Sequence, residues 1–467
     1  MKTSPASDQP PHRTNRSLAI KTGRGIVSGQ QETTTVPRLG LWSGIGMVVA
    51  SMIGSGVFLS AGYMAQDLSP GQILAAWVVG LVLALAGAWA YAAVAMLVPR
   101  SGGEYRYLHD LLHPSLGYLA GWVSLLVGFS APIAINAVAA AAFAGALGLK
   151  INQSLLAALL VATLTTVHAW GWRSSVGSQN ALVLLKSALV LAFVVIGLSL
   201  GTNRWPTWQP PHASAAFPLS PFVGSLFYVA FAFSGWNAAA YAASEFRDPR
   251  RDVPRAMLVG CCLVGVVYLV VNWVFVANLT PERAIAIAQE SGRLTLGHLI
   301  MTQLVGVTGA KIMSAFMVVT FLSTMSAYTY AGPRVCSAMA KDGFLPLALA
   351  GGQDQVPRWS VVLQGGLATA LVFAYQVQEV LQNIGAILTL FSALTVLALF
   401  KVRFQKTAQA RPSTASLIAA SVFVVLSAWM LYYGFKDSPS LAGWVVAICA
   451  AALLAYTLTR TFSRDVV

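Results

Sequence analysis

Acidic residues are scarce in this chain. Only 15 Asp and Glu stand among 467 residues, beside 29 Lys and Arg, and charged residues of both signs make up 9% of the total. A soluble domain of average composition carries about 25% charged residues, so a globular protein with a hydrated surface is excluded. Cysteine is sparse as well. Cys261, Cys262, Cys336 and Cys449 show no metal-ligand spacing, and all fall in or beside apolar stretches, where thiols pack as small hydrophobes. The loop around Lys150 has no cysteine to offer a partner subunit a disulfide. No GxxxxGK[ST] sequence occurs, which removes the phosphate-binding loop of an ATP-driven pump. Histidines are scattered; His109 and His113 stand four apart beside Asp110 with no further ligand, so neither a metal nor a cofactor is expected. No enzyme constellation is present.

Apolar sequence fills the space these absences leave. Hydrophobic residues make up 57% of the chain, and mean hydropathy is +0.69. Twelve apolar stretches of about 20 residues, the length that crosses about 30 Å of hydrocarbon as a helix, begin near Leu41, Gln72, Leu116, Leu155, Ala181, Pro221, Ala256, Lys311, Ser360, Val380, Ala415 and Ala442. An all-α, polytopic membrane protein follows. The segment Thr295 to Ala310 reads as an amphipathic helix outside the membrane. The net charge of +14 is a topology signal rather than a nucleic-acid footprint. With the N-terminus inside, only Lys150, Arg204, Arg283, Arg293, Lys311 and Lys436 face outward; Lys186 lies within a span, and the remaining basic residues are cytoplasmic. Residues 1–38 are polar, rich in Ser, Thr and Pro, and lack a signal peptide's apolar core, so they read as a disordered cytoplasmic tail.

Two spans are interrupted near their middles. "IGSGVF", Ile53 to Phe58, places Gly54, Ser55 and Gly56 in the first, and "FAFSGWN", Phe231 to Asn237, places Ser234 and Gly235 in the sixth. Within hydrocarbon, unwound backbone is tolerated only where it lines a cavity or is buried in protein. One such break is equally well a close helix crossing built on small residues. Two breaks, each in the first member of a five-span unit, are the signature of an inverted-repeat transporter. Carbonyls at Met52, Phe231 and Ser234 then accept an ammonium, while the amides of Ser55 and Gly56, at the positive end of a half-helix, take a carboxylate. Asn136, near Pro132 in the third span, either faces the substrate side chain or bonds another helix.

"GSGVF", "PRSGGEYRYL", "LAGW", "FAFSGWN" with "EFRDPRRDVPRA", and "GPRVCSAMAKDGFLP" together resemble an amino-acid permease of the amino acid, polyamine and organocation superfamily, closest to the L-type group and its bacterial relatives. The matches cover the first eight spans in order; the last four match only in hydropathy. The resemblance implies a leucine-transporter-type five-plus-five inverted repeat, with repeats at 39–200 and 221–400 and two further helices within 401–467. It implies a gate at Phe231. It also implies that a fifth-span lysine, here Lys186, puts its ammonium where sodium-coupled relatives hold an ion, facing the first and eighth spans. Ser323, Thr324 and Ser326 are the candidate eighth-span oxygens, although the family often has Asn where Ser326 stands.

A mid-span lysine costs about 2.5–3.5 kcal/mol to insert and ordinarily marks a cavity or ion path. Glu104, Glu245 and the Arg247 to Arg255 cluster read as a cytoplasmic charge network at span ends, and Trp236 and Tyr241 as packing residues. The expected function is sodium-independent secondary transport of neutral L-amino acids across the plasma (inner) membrane, by exchange or proton-coupled uptake, with both termini cytoplasmic. Its alternatives are a carrier of a polyamine or another organic amine, which the scarcity of acidic residues inside the spans disfavours, and a non-cycling amino-acid sensor.

Overall fold

The computed structural model describes residues 39–170, 176–208, 217–279, 296–352, 357–374, 377–405 and 411–464. The expected N-terminal tail lies outside the described residues. Among them the backbone is helical, as a chain with few polar side chains requires where no water can satisfy its amides. The helices are α1 (Leu41–Met52), α2 (Ser55–Met64), α3 (Pro70–Leu97), α4 (Glu104–Leu111), α5 (Pro114–Val123), α6 (Ala131–Ala146), α7 (Gln153–Ala169), α8 (Val176–Leu200), α9 (Leu219–Phe233), α10 (Ala238–Tyr241), α11 (Pro249–Asn278), α12 (Leu296–Val305), α13 (Val307–Ala331), α14 (Pro333–Lys341), α15 (Arg358–Ala374), α16 (Val377–Phe404), α17 (Thr414–Asp437) and α18 (Pro439–Arg464).

Nine segments among the described residues are long and apolar enough to cross a membrane, and Gln153–Ala169, Arg358–Ala374 and Ala442–Thr457 are shorter apolar helices. Helix α12 is separated from α13 by Gly306 at φ +85, so Leu296–Val305 of the amphipathic segment is a helix of its own, while Val307 to Ala310 already begin the next apolar helix. A Ser69/Gln72 capping box with Pro70 at the first helical position fixes the start of α3.

Three local features shape the interior. The first is the break itself: α1 ends at Met52, Ile53 and Gly54 leave helical geometry, and α2 restarts at Ser55. The second is a milder break, where α9 tightens into a 3₁₀ turn over Ser234–Asn237 before α10. Between α5 and α6 the third, a π-helical turn over Ser124–Ser130, widens the helix. The segment before α1 is also tied to the residues after α10. Leu39 N donates to Glu245 O at 3.0 Å and Arg247 N donates to Leu39 O at 2.9 Å, forming an isolated parallel bridge between Leu39 and Phe246.

Candidate functional site

A helix that stops inside a bundle leaves its last carbonyls without the amides that would have followed. Around the end of α1 each has its own donor. The amide of Ile53 caps Val49 O at 3.0 Å. Lys186 Nζ from α8 donates to Ala50 O at 2.8 Å, and Tyr328 OH from α13 to Ser51 O at 2.9 Å. Tyr268 OH from α11 donates to Met52 O, and Thr324 Oγ1 from α13 to Ile53 O at 2.8 Å. On the far side of the break, Ser55 N donates to Asn136 Oδ1 at 2.9 Å, while Asn136 Nδ2 donates to Pro132 O. The break is held open by side chains from four other helices.

The second break leans on the first through backbone. A Cβ built on Gly235 would lie 2.6 Å from the carbonyl carbon of Ser51, and one on Gly56 would lie 2.6 Å from Ala232 Cα. Real Cβ atoms do not come that close, so these glycines are required by contact between main chains. The hydroxyl of Tyr268 reaches both breaks, being 3.0 Å from Ala232 O as well as bonded to Met52 O.

Lys186 is 1% exposed. Besides Ala50 O its ammonium meets Thr324 Oγ1 at 2.6 Å, so it joins α1, α8 and α13. Of the three expected eighth-span oxygens, only Thr324 is its partner among the described residues. Ser326 stands about 200° around the helix from Thr324, and its hydroxyl bonds His168 Nε2 at 2.9 Å. Ser323, also buried, lies about 100° away from Thr324 and makes no bond to the lysine.

A cavity of about 50 Å³ opens beside the breaks. Ser51, Ser234, Gly235, Asn237, Tyr241, Tyr328 and Glu104 line it, with Gly128 and Phe129 of the π-turn. Of the expected substrate-binding residues, Ser234 and Gly235 border this cavity. Met52, Gly54, Ser55, Gly56, Asn136 and Phe231 do not. Asn136 is turned to the Ser55 amide, which corrects the expectation that this amide stands free; the Ser55 hydroxyl is buried without a hydrogen-bond partner among the described residues. Phe231, 4% exposed, packs in the core. Trp236 and Tyr241 pack against Tyr91 and Phe129, and both also wall the cavity.

Of the two carboxyls in the expected charge network at the span ends, Glu245 stands in an ion pair and Glu104 does not. Glu245 pairs with Arg334, Nε to Oε1 at 2.6 Å and Nη2 to Oε2 at 3.1 Å, and takes Tyr330 OH at 2.8 Å. Burial works against its charge, but the Arg334 guanidinium and its hydrogen bonds hold the carboxyl below the ordinary carboxylate value. Arg334 also stacks 3.6 Å over the Tyr330 ring. Glu104 is not at a loop edge at all. It is 2% exposed, with Oε1 accepting from Tyr91 OH at 2.6 Å, Ser392 Oγ at 3.0 Å and Asn237 Nδ2 at 3.3 Å. The sequence signal for this was Gly103: its φ of +54 turns the chain inward, and a Cβ there would lie 2.4 Å from the Tyr241 ring.

Two interrupted membrane helices, pressed together at their breaks and bordered by a small polar-ended cavity, define a polytopic membrane protein of the broken-helix kind. The chain belongs to the amino acid permease family of the amino acid, polyamine and organocation superfamily, near its L-type group; the family's model, described as "Amino acid permease", matches residues 39–459. It is 28% identical over 471 residues to the mouse large neutral amino acids transporter small subunit 2, covering 97% of this chain and 85% of the relative. It is 25% identical to the mouse Asc-type amino acid transporter 1, covering 87% of this chain and 78% of that one. The mouse b(0,+)-type amino acid transporter 1 is 24% identical, with coverage of 91% and 88%.

Proposed function

We propose that this chain is a sodium-independent secondary transporter of amino acids, neutral L-amino acids foremost, working by alternating access in the plasma (inner) membrane with both termini cytoplasmic. The observation that carries the reading is the pair of backbone-to-backbone breaks beside a cavity, in a family whose relatives are named as amino acid transporters. The three shorter apolar helices complete twelve spans, in which 39–200 and 221–400 form the inverted repeats and 401–467 the two added helices.

At the breaks, the substrate carboxylate is met by the Ser55 hydroxyl and the Gly56 amide, at the positive end of α2. Its ammonium is met by carbonyls of Met52, Phe231 and Ser234. Tyr268 has a single hydroxyl proton for Met52 O and Ala232 O, so one of these two carbonyls retains capacity for a ligand at any moment. Gly56 against Ala232 closes the route on the side away from the cavity, and Phe231 acts as the gate there. Sodium is unnecessary because the Lys186 ammonium already bridges the α1 carbonyl and the α13 hydroxyl that a cation would bridge. Cycling proceeds by exchange or by coupling to protons.

One observation favours a second reading. Glu104 places a carboxyl at the cavity wall, which suits an organic amine better than the sequence had indicated. Radiolabelled uptake into proteoliposomes with a competitor panel separates the readings. A methyl ester or N-acetyl derivative of a transported amino acid should compete poorly, because one charged end has lost its partner. Equal competition by an amine with no carboxylate would establish the amine carrier instead, and saturable binding without accumulation would establish a sensor.

A further inference from the structure

Glu104 is the buried ionisable group that the backbone clamp does not use. Its Oε1 takes three donors, from Tyr91 of α3, Asn237 at the sixth-span break and Ser392 of α16. Its Oε2 has no hydrogen-bond partner among the described residues, although the residue borders the cavity. The charged and titratable groups around it give no counter-ion. From α3 comes Tyr91, from α10 Tyr241 and from its own helix Tyr107, all phenols. From α16 comes the neutral Ser392. Arg106 is engaged with Asp342 at 2.9 Å, Arg334 of α14 with Glu245, and Lys401 of α16 with Leu112 O.

A carboxylate so placed is stabilised at one oxygen and exposed to desolvation at the other. Burial accordingly pushes its titration up from the ordinary value, opposed by the bonds from Tyr91 and Ser392. An entering ammonium would need several acceptors around it, yet the polar neighbours of this group at the cavity, Asn237 and Ser392, spend their protons on Oε1 and leave Oε2 as the open acceptor. A proton needs one.

Resting on the transport reading above, we infer that Glu104 is the proton-binding site of the transport cycle, loading Oε2 when the cavity is hydrated from one side and unloading it when the cavity is hydrated from the other. In the loading step an O–H bond forms at Oε2 with a proton from hydronium on the acidic side. In the unloading step that bond breaks and the proton passes to water on the other side, so one proton accompanies each substrate. Coupling arises from occlusion. Closing the cavity removes the water that would hydrate an ionised Oε2, and a neutral carboxylic acid is far cheaper to bury than a carboxylate. The protonated form therefore closes with substrate, whereas the ionised form waits for water.

The test uses the full chain in proteoliposomes carrying an entrapped pH-sensitive dye, with radiolabelled neutral amino acid outside and none inside. In the wild type, an inside-alkaline gradient should raise initial uptake several-fold over no gradient, with concurrent internal acidification. In Glu104→Gln the ratio of uptake with and without the gradient should fall to one, whatever the basal rate, while Glu104→Asp should keep a ratio above one. A wild-type ratio of one with intact exchange of internal for external amino acid would overturn the proton site and leave the transport reading standing; absence of any amino acid flux would overturn the transport reading itself. A ratio kept in Glu104→Gln but lost in Lys186→Met would move the proton to the lysine. Should Glu104→Gln fail to fold, dye acidification in the wild type and the Asp variant decides the matter.

Discussion

Replacing Lys186 by Met keeps the length of the side chain and deletes its ammonium, which makes it the cleanest probe of the first break. Two hydrogen bonds disappear, at 2.8 Å to Ala50 O and 2.6 Å to Thr324 Oγ1. Their consequences are unequal. Thr324 Oγ1 retains Ile53 O at 2.8 Å and Thr320 O at 3.1 Å as acceptors for its one proton, so it loses a donor but stays bonded. Ala50 O is in a different position, because the amide that would cap it in a continuous helix belongs to Gly54, beyond the end of α1. A buried group left unsatisfied costs about 1–3 kcal/mol, which is roughly a 5- to 150-fold fall in affinity if the clamp must be rebuilt before substrate binds. Relief from burying a charge pulls the other way in overall stability, so the loss should fall on substrate affinity more than on thermal unfolding. Equilibrium binding of radiolabelled amino acid to purified protein reads the first, and unfolding in detergent the second. Lys186→Arg should not restore affinity, since the larger planar fork cannot replace a point charge between two oxygens. Binding by Lys186→Met at wild-type affinity would refute the tether, and a return of affinity specifically with added sodium would support it.

Gly56→Val should both abolish uptake and lower the yield of folded protein, because a Cβ at 2.6 Å from Ala232 Cα forces main chains apart; size-exclusion profile and uptake check the two together. Phe231→Ala should reduce transport rate far more than binding, as expected of a ring that closes an intermediate; equal losses in both would make it a pocket wall. The Glu245–Arg334 pair has a pH signature. A carboxyl held below its ordinary value of 4.5 contributes stability fully above that value and loses it as pH falls through the lower folded value. Unfolding temperature should therefore be steady toward neutral pH and drop in acid, and Glu245→Gln should be less stable by about 1–3 kcal/mol near neutrality with a flatter acid limb.

How much of this could be read from the residues varied with the reach of each signal. The breaks were legible because Gly54-Ser55-Gly56 and Ser234-Gly235 interrupt apolar runs of spanning length, a feature confined to a few neighbouring positions. Lys186 was conspicuous because a lone charge stands out against Leu and Val. Tyr268 and Tyr328 were not, since hydroxyls in apolar helices are commonplace and only packing shows that each meets an α1 carbonyl. Ser326 was misread because three hydroxylated residues in four positions spread round most of a helical turn and only one faces Lys186. Glu104 was misread for a different reason. Its neighbours in "PRSGGEYRYL" are those of a loop, and short charged stretches have no spanning periodicity, so hydropathy placed at the membrane edge a carboxyl that Gly102 and Gly103 fold back into the bundle.

The Leu39 bridge joins its two segments by main-chain bonds alone, Leu39 N to Glu245 O and Arg247 N to Leu39 O. Such a connection is written in no side chain. Proline at 39 or 247 would delete a donor from it, while the side chains of Leu39 and Phe246 are held separately, by burial in the core. A scan of substitutions would thus find proline excluded at 39 and 247 by the bonds, and polar residues disfavoured at 39 by burial. Mechanical continuity between the beginning of the first span and the end of the sixth is inherited through backbone shape, and so it can outlast the divergence of the sequence around it.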